Sequence, residues 1–232
     1  MLRRLLPVAI LLGGLVAFLL LGLERYFTYD LLYRHQATLA KWVAKHGAIA
    51  AAVFVIAYAV VVAFSLPVAM LVTPVAGYLF GTWLGAGLSV IGATLGAIAV
   101  FLAARTAFRD LFRARAGAAL SRLETGFRRD DFSYLLFLRL VPIFPFWLIN
   151  IVPALLGMRL GRFTLATMIG IVPAAIVFAS VGAGLGMVIE RGERPDLGIL
   201  FEWRILLPLL GLGVLSLLPV VFSHLRKPPA VH

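Results

Sequence analysis

The chain of 232 residues contains no cysteine, which excludes disulfides, thiolate metal sites and cysteine nucleophiles. Its four histidines are scattered and do not have the spacing of metal ligands. Serine and histidine show no pairing of a nucleophile with its base, and no phosphate-binding loop of the Walker type is present. We therefore predict no catalytic residue, no metal site and no cofactor, and we expect a protein that is not an enzyme.

Acidic residues are absent from two long stretches, between Asp30 and Asp110 and between Asp131 and Glu190. Apolar residues fill both stretches and are interrupted mainly by proline and glycine. The whole chain is 62% hydrophobic and 13% charged, whereas soluble domains carry about 25% charged residues. This composition predicts an all-α membrane protein without a sizeable soluble domain. It also disfavours proton coupling through an embedded carboxylate, since neither stretch offers one.

The formal net charge of +11 is the strongest imbalance in the composition. Such a charge can indicate a nucleic-acid-binding protein, but the basic residues flank apolar spans and form no separate basic domain. An anionic lipid surface explains basic residues in these places more simply. We therefore expect anionic membrane lipids as partners and no nucleic acid. The oligomeric state stays open, with a homo-oligomer among the alternatives.

The order of apolar and polar segments divides the chain into five parts. The first contains a continuous apolar stretch, Leu5 to Leu23, which at about 1.5 Å per residue is roughly 29 Å long and can span a bilayer. A signal peptide is the alternative, but its apolar core would be shorter and no small-residue cleavage site follows. The predicted parts are a transmembrane helix at 1–27, a first repeat at 28–104, a basic amphipathic helix at 105–131, a second repeat at 132–188, and an external loop with a last transmembrane helix and a tail at 189–232.

Seven arginines surround an apolar stripe in the segment 105–131. This spacing is typical of an amphipathic helix that lies on a membrane surface. We expect Arg109, Arg113 and Arg115 to contact anionic lipid there. The alternative is an ordinary cytoplasmic connector whose charge only sets the topology.

An internal repeat relates the two long apolar stretches. The motif Gly81-Thr-Trp-Leu-Gly85 aligns with Gly157-Met-Arg-Leu-Gly161, and prolines precede both motifs. In each repeat an amphipathic segment comes first, a proline-broken apolar segment follows, and a glycine-rich full span comes last. The sequence therefore predicts two copies of one structural unit.

The distribution of basic residues predicts the orientation of these units. With the amino terminus inside, thirteen basic residues lie in cytoplasmic segments and seven in external ones. A single crossing by residues 132–158 would move Arg159 and Arg162 outside, so we interpret this segment as a hairpin that enters and leaves on the cytoplasmic side. By the same logic 47–80 is a hairpin entering from outside, with two ordinary crossings as the alternative. The prediction is an inverted-topology repeat with two opposed re-entrant helical hairpins, flanking transmembrane helices and cytoplasmic termini.

Small residues recur at every fourth position through the first span, a pattern that lets helix backbones approach closely in lipid. We interpret the glycines of this stripe and of the repeat motifs as packing residues and not as a ligand site. They are Gly77, Gly81, Gly85, Gly92, Gly96, Gly157 and Gly161.

Arg139 is the one charged residue in the apolar stretch between Asp131 and Arg159. A cation in such a place is costly in a bilayer and indicates a functional site by default. It precedes Pro142 by about one turn, and a guanidinium beside a broken helix can hold a phosphate in bidentate fashion. The alternatives are snorkelling to the headgroups and capping of backbone carbonyls that Pro142 leaves free. We predict that Arg139 and Asn150 bind lipid phosphate. Breaks in the two hairpins are predicted at Pro67, Pro74, Pro142, Pro145 and Pro153.

Two blocks of residues resemble a known family. The stretch Arg139-Leu-Val-Pro-Ile-Phe-Pro145, then Asn150 and the Gly157-x-x-x-Gly161 turn, resembles the second conserved block of the SNARE-associated Golgi protein (VTT-domain) family, a branch of the DedA superfamily. The stretch from Gly77 through Gly96 to Arg105 resembles its first block. The resemblance implies two opposed re-entrant hairpins and a multi-pass protein of the bacterial inner membrane. It also implies lipid transport, either as a phospholipid scramblase or as a polyprenyl-phosphate translocase.

The sequence thus favours a lipid transporter with an arginine that attracts headgroup phosphate. A transporter of small solutes or ions that uses the same cavity is a second interpretation. A scaffold for membrane partners that works through the basic helix is a third. The substrate and any coupling ion stay open at this point.

Overall fold

The computed structural model describes residues 2–22, 29–66, 69–115, 130–140 and 145–190. Helices joined by short turns make up these ranges, and no strand occurs in them. The helices are α1 Leu2–Leu20, α2 Tyr29–Ala63, α3 Ala69–Phe80, α4 Thr82–Arg115, α5 130–140, α6 Phe146–Leu155 and α7 Leu160–Glu190.

Three of the described helices are long and apolar enough to cross a membrane. They contain the segments Thr38–Ala63, Thr82–Ala107 and Leu160–Gly184. The prediction of an all-α membrane protein is confirmed. The last transmembrane helix, predicted in the part 189–232, lies outside the described residues.

Helix α2 changes direction at Gly47, where φ is 20° and ψ is −89°. The kink separates the amphipathic half of α2 from its apolar half, at the residue where the sequence changes character. The apolar half, 48–63, has sixteen residues and is therefore about 24 Å long, which is less than the roughly 30 Å of bilayer hydrocarbon.

The apolar half of α2 and helix α3 form a hairpin. The rings of Phe54 and Phe80 meet edge to face, with centroids 5.6 Å apart. Deeper in the pair, the hydroxyls of Tyr58 and Thr73 are hydrogen-bonded at 2.9 Å. Phe54 precedes Tyr58 in α2, whereas Phe80 follows Thr73 in α3. The two helices are therefore antiparallel, and the chain reverses between Ala63 and Ala69.

Helices α5 and α6 form a second hairpin against the start of α7. Arg162 at the beginning of α7 binds Asp131 at the beginning of α5, with 2.8 Å between Nη1 and Oδ1. Near the end of α5, Arg139 reaches Thr167, five residues further along α7. Helix α5 therefore runs in the same direction as α7. Because α6 leads from Arg139's neighbour Asn150 back to the start of α7, it runs in the opposite direction.

The two units, α2 to α4 and α5 to α7, run in opposite directions. The start of α4 packs on the end of α7, where Val90 and Ala179 belong to one buried cluster. The end of α4 packs on the start of α7, where the rings of Phe101 and Phe163 are 4.3 Å apart. The hairpins thus begin at opposite ends of the α4–α7 pair. Their entry into a bilayer as re-entrant hairpins stays a prediction.

Four of the predicted packing glycines lie where an added Cβ would overlap atoms of a neighbouring helix. A Cβ at Gly77 would overlap the backbone of Ala179, and the corresponding neighbours of Gly85, Gly92 and Gly96 lie 2.5–2.9 Å away. The prediction is wrong for Gly81, Gly157 and Gly161. Gly81 and Gly157 have φ values of 77° and 79°, so they are turn residues that need the left-handed conformation. Gly161 has open space where its Cβ would be.

The prolines predicted to break the two hairpins do so only in part. Pro145 precedes the first residue of α6 and marks the end of the break in the second hairpin. Pro74 and Pro153 lie inside α3 and α6, and both helices continue through them. Each proline removes a single backbone hydrogen bond, and close packing around the helix compensates for that loss. Pro67 and Pro142 lie outside the described residues.

The basic segment is not a separate helix from residue 105 onward. Helix α4 continues without interruption from Thr82 to Arg115, because no helix-breaking residue occurs between its apolar and basic parts. Arg109, Arg113 and Arg115 therefore belong to the end of α4. Residues 116–129 lie outside the described part of the chain, and the contact of these arginines with lipid stays a prediction.

Candidate functional site

The site is built around Arg139, which occupies the last turn of α5 and is only 8% exposed. The apolar segments 48–104, 132–158 and 163–189, to which the apolar helices of both units belong, contain no other charged residue. A single cation is therefore enclosed by packed helices. Snorkelling does not describe it, because the guanidinium is turned inward and contacts side chains of α6 and α7.

One nitrogen of the guanidinium is held by two neutral acceptors. Nη2 of Arg139 donates to Oδ1 of Asn150 at 2.5 Å and to Oγ1 of Thr167 at 3.1 Å. Asn150 and Thr167 are themselves fully buried. These bonds connect three helices at one point, and they fix the direction in which Arg139 extends. The structure therefore brings together the two residues that the sequence predicted, and adds Thr167.

Two aromatic rings contribute to the surroundings of the guanidinium. Its carbon Cζ lies 4.7 Å from the centroid of Phe146 and 5.6 Å from that of Phe163. Both distances allow a cation–π attraction, which strengthens when the pair is removed from water. The rings stabilise the positive charge without neutralising it, so the charge stays available to an anion.

Gly170 makes room for Arg139 on α7. A Cβ at Gly170 would lie 2.5 Å from Cβ of Arg139 and 3.1 Å from its Cγ. Only glycine allows the backbone of α7 to approach α5 so closely here. Gly170 lies ten residues after the start of α7, about 15 Å along the helix, or roughly half the thickness of bilayer hydrocarbon.

Several donors at the site have no hydrogen-bond partner among the described residues. They are Nε and Nη1 of Arg139 and Nδ2 of Asn150, all buried. Buried polar groups are normally hydrogen-bonded, so unpaired donors at one place require an explanation. All of these groups are donors, since neither a guanidinium nor an amide nitrogen accepts a hydrogen bond. What they can bind is a group rich in acceptors, and the positive charge selects an anion.

A separate ion pair closes the open end of the same hairpin. Asp131 is almost completely buried, while Arg162, its partner, is about half exposed. Asp131 lies eight residues before Arg139 on α5, which is about 12 Å along the helix. The carboxylate is paired with Arg162 and does not neutralise Arg139.

Sequence reasoning missed Thr167, Gly170 and the two aromatic rings. Thr167 and Gly170 follow Arg139 by about thirty residues, and a lone threonine or glycine in an apolar helix has no distinctive local pattern. Phe146 and Phe163 do not differ in sequence pattern from the other apolar residues around them. The spacing of the repeat could have indicated that the start of α7 lies beside α5, but not which side chains meet.

Comparison with known proteins fits this architecture. Residues 66–184, from the reversal of the first hairpin through most of α7, match the VTT domain. The chain belongs to the VTT domain family. The resemblance noted in the two sequence blocks is thereby confirmed.

Relatives occur in eukaryotes and bacteria. The chain is 32% identical over 177 residues to the Transmembrane protein 41 homolog of Dictyostelium discoideum, an alignment that covers 75% of this chain and 51% of that protein. It is 25% identical over 176 residues to the Caenorhabditis elegans homolog of the same name, covering 75% and 69%. It is 33% identical over 115 residues to YqeD of Bacillus subtilis (strain 168), covering 49% and 55%. The chain thus spans about half the length of two of these relatives, and no solved structure matches it.

Proposed function

We propose that this VTT-domain protein moves lipids across the membrane, as a scramblase or a polyprenyl-phosphate lipid translocase. The observation that carries the proposal is the enclosed cation of Arg139 beside unpartnered donors, at the reversal of a helical hairpin. Charged lipid headgroups do not cross hydrocarbon unaided, because unpaired charge in an apolar medium is very costly. A fixed cation at mid-depth lowers that cost for a headgroup phosphate.

The short helices of the hairpins support a path for headgroups. Helix α6 has ten residues and the described part of α5 has eleven, which corresponds to about 15 and 16 Å, and each is shorter than the roughly 30 Å of bilayer hydrocarbon. We propose that both hairpins are re-entrant and meet near the middle of the bilayer. Leu66, at the reversal of the first hairpin, belongs to a buried cluster against which Phe146 of the second hairpin packs.

The positions of basic residues complete the proposal. Arg159 and Arg162 lie beside the open end of the second hairpin, and Arg105 lies near the end of α4 at the same end of the molecule. Basic residues concentrate on the cytoplasmic side. We therefore place this end, together with both termini, in the cytoplasm of a bacterial cell, and the protein in its inner membrane. No covalent bond is made or broken in the proposed process.

Lipid movement can be measured in proteoliposomes that contain fluorescently labelled phospholipid and are treated with dithionite, which quenches outer-leaflet label. We expect the protein to accelerate quenching of inner-leaflet label at least tenfold, and Arg139→Gln to remove about 90% of that acceleration, which corresponds to about 1.4 kcal/mol in the barrier. Arg159→Gln is the matched control, since Arg159 is exposed, and we expect no change from it.

Quenching that is no faster with protein than without it would refute lipid movement. A protein that leaves lipids in place but carries radiolabelled phosphate or sulfate, in an Arg139-dependent way, would instead be the small-solute transporter of the second interpretation. Loss of function on neutralising Arg109, Arg113 and Arg115, with Arg139→Gln unaffected, would favour the scaffold.

The orientation of the hairpins can be tested by cysteine labelling, since the natural chain has no cysteine. Trp83, Trp147 and Gly161 are exposed, whereas Asn150 is fully buried and unsuitable. With an impermeant external maleimide we expect labelling of Trp83→Cys and protection of Trp147→Cys and Gly161→Cys. External labelling of Trp147→Cys, comparable to that of Trp83→Cys, would mean that the second hairpin reaches the far side and is not re-entrant.

A further inference from the structure

The neutral surroundings of Arg139 determine how much negative charge the site can balance. The side chains that contact the guanidinium or its stem from α6 and α7 are neutral. They are Asn150, Thr167, Phe146 and Phe163, and Gly170 borders the stem. Phe101 and Ala97 of α4, which complete the same buried cluster, are apolar. Among the residues that the structure describes, the site therefore has one positive charge and no internal counter-charge.

No second cation is near in the described part of the chain. Arg162 is committed to Asp131 at the open end of the hairpin, and Arg159 and Arg105 lie in the same end region, outside the apolar interior. Bound in this interior, a monoanion would give a neutral site. A dianion would leave one uncompensated negative charge, and an unpaired buried charge is strongly destabilising.

We propose that the Arg139 site selects singly charged phosphodiesters, such as the headgroup of an ordinary glycerophospholipid, over doubly charged phosphomonoesters. The inference rests on the proposed function and deepens it by naming the substrate class. The two non-bridging oxygens of a phosphodiester share one negative charge and accept hydrogen bonds from Nε and Nη1 of Arg139 and from Nδ2 of Asn150. The two alternatives, a scramblase for phosphodiester lipids and a translocase for polyprenyl phosphate, thereby become distinguishable.

The selection depends on pH in a defined direction. A phosphomonoester loses its second proton with a pKa of about 6, so it is mainly a monoanion at pH 5 and a dianion at pH 8. The guanidinium is charged throughout. The nearest charged pair is Asp131 with Arg162 at the open end of the hairpin. Tyr134 on α5 and Tyr58 on α2 bring hydroxyl groups, and neither a carboxylate nor an imidazole, to the same bundle. A phosphomonoester must therefore bind better at pH 5 than at pH 8, whereas a phosphodiester must not change.

Isothermal titration of the full chain in a non-ionic detergent tests this inference. The probes are dihexanoyl phosphatidylglycerol, a diester, and dihexanoyl phosphatidic acid, a monoester. We take the difference between wild type and Arg139→Gln as the binding at the site. At pH 8 we expect the diester to bind at least about tenfold tighter, and at pH 5 we expect the two affinities to agree within about threefold. Equal or tighter binding of phosphatidic acid at pH 8, or a ratio that does not change with pH, would overturn the inference.

A second variant keeps the test valid if Arg139→Gln does not fold. Phe146 is half-buried and lies next to the guanidinium, so Phe146→Lys adds a second cation to the site. We expect this variant to shift the preference at pH 8 toward phosphatidic acid by at least about tenfold. An unchanged preference in a folded Phe146→Lys protein would count against charge balance as the cause.

Two further measurements distinguish a lipid ligand from a soluble one, and failure of the charge inference from failure of the proposed function. Dimethyl phosphate and methyl phosphate carry the same two charge states without acyl chains. If they show the same preference with comparable affinity, the charge inference stands and the natural ligand is a small soluble phosphate ester. If the diester is preferred but dithionite shows no lipid movement, the proposed function fails alone. If lipids move but the two esters bind equally, only the charge inference fails.

Discussion

Replacing Asn150 with aspartate will abolish lipid transport while leaving the fold intact. Oδ1 of Asn150 already lies 2.5 Å from Nη2 of Arg139, so a carboxylate in this position forms a buried ion pair with the guanidinium. The pair neutralises Arg139, the one cation among the described residues of the interior, and the substitution removes the two N–H donors of the amide. We expect the acceleration of lipid movement to fall by at least about a hundredfold, which corresponds to about 2.7 kcal/mol of lost stabilisation at the barrier.

The measurement is the dithionite assay at equal amounts of reconstituted protein, with thermal unfolding in detergent as a check of the fold. Thr167→Val is the matched control, because it removes the second acceptor of Nη2 but leaves the charge unpaired. We expect a loss of about threefold to tenfold from Thr167→Val, in line with the net contribution of about 1 kcal/mol from a single hydrogen bond. An Asn150→Asp protein that transports lipid as fast as the wild type would show that anions do not bind at Arg139.

Adding a single methyl group at Gly182 will produce the largest loss of stability of the glycine-to-alanine substitutions at positions 161, 170, 182 and 184 of α7. A Cβ there would overlap the backbone of Pro74 in α3, just as a Cβ at Gly77 would overlap the backbone of Ala179 in α7. The two helices thus cross with their backbones in contact, and neither neighbour can rotate away as a side chain could. Overpacking of this kind typically costs 1–3 kcal/mol, and we expect Gly182→Ala to cost about 3 kcal/mol.

Gly184 offers a control two residues further along the same helix, since a Cβ there would meet nothing within 4 Å. Both variants increase helix propensity equally, so their difference isolates the crossing of α3 and α7. The quantity to measure is the free energy of unfolding in mixed micelles with increasing SDS. Equal stability of Gly182→Ala and Gly184→Ala would mean that α3 and α7 are not in backbone contact.

The sequence was sufficient for the class of the fold because membrane helices are indicated by long apolar segments, which need no knowledge of tertiary contacts. It was also sufficient for Arg139 and Asn150, since a cation and an amide are conspicuous in an apolar hairpin. Thr167 could not be found, because its role arises only from a bond to a residue 28 positions earlier. Contacts between α5 and α7 depend on how the hairpin docks, and local pattern does not contain that information.

The errors in the proline and glycine predictions have a common physical cause. Pro74 and Pro153 were expected to break the hairpins because proline breaks helices in water, where the peptide groups it frees find solvent at once. Inside a packed bundle the surrounding helices keep the segment straight, and α3 and α6 continue through their prolines. Gly81 and Gly157 were grouped with the packing glycines because spacing alone does not show backbone conformation, and their positive φ values identify them as turns.

The two hairpins share a backbone arrangement but differ in polarity. The first contains a hydrogen bond between the neutral side chains of Tyr58 and Thr73, and the second contains the bond between Arg139 and Asn150. The corresponding contacts of the two repeats therefore differ in charge, since one is neutral and the other contains a guanidinium. Under the proposed function this difference matters, because a headgroup passing between the hairpins would meet the positive charge of Arg139 in one hairpin and neutral side chains at the corresponding contact of the other.

Helix α4 contacts α1, α2, α3, α6 and α7, and this central position affects how the chain is made. When the ribosome has completed α4, the first unit can fold, but the face with Ala97 and Phe101 has no partner until α6 and α7 have been synthesised. During that interval acyl chains must cover the face, and the arriving helices have to displace them. A nascent chain that stalls at this stage would consequently present a face covered only by lipid to other proteins in the membrane.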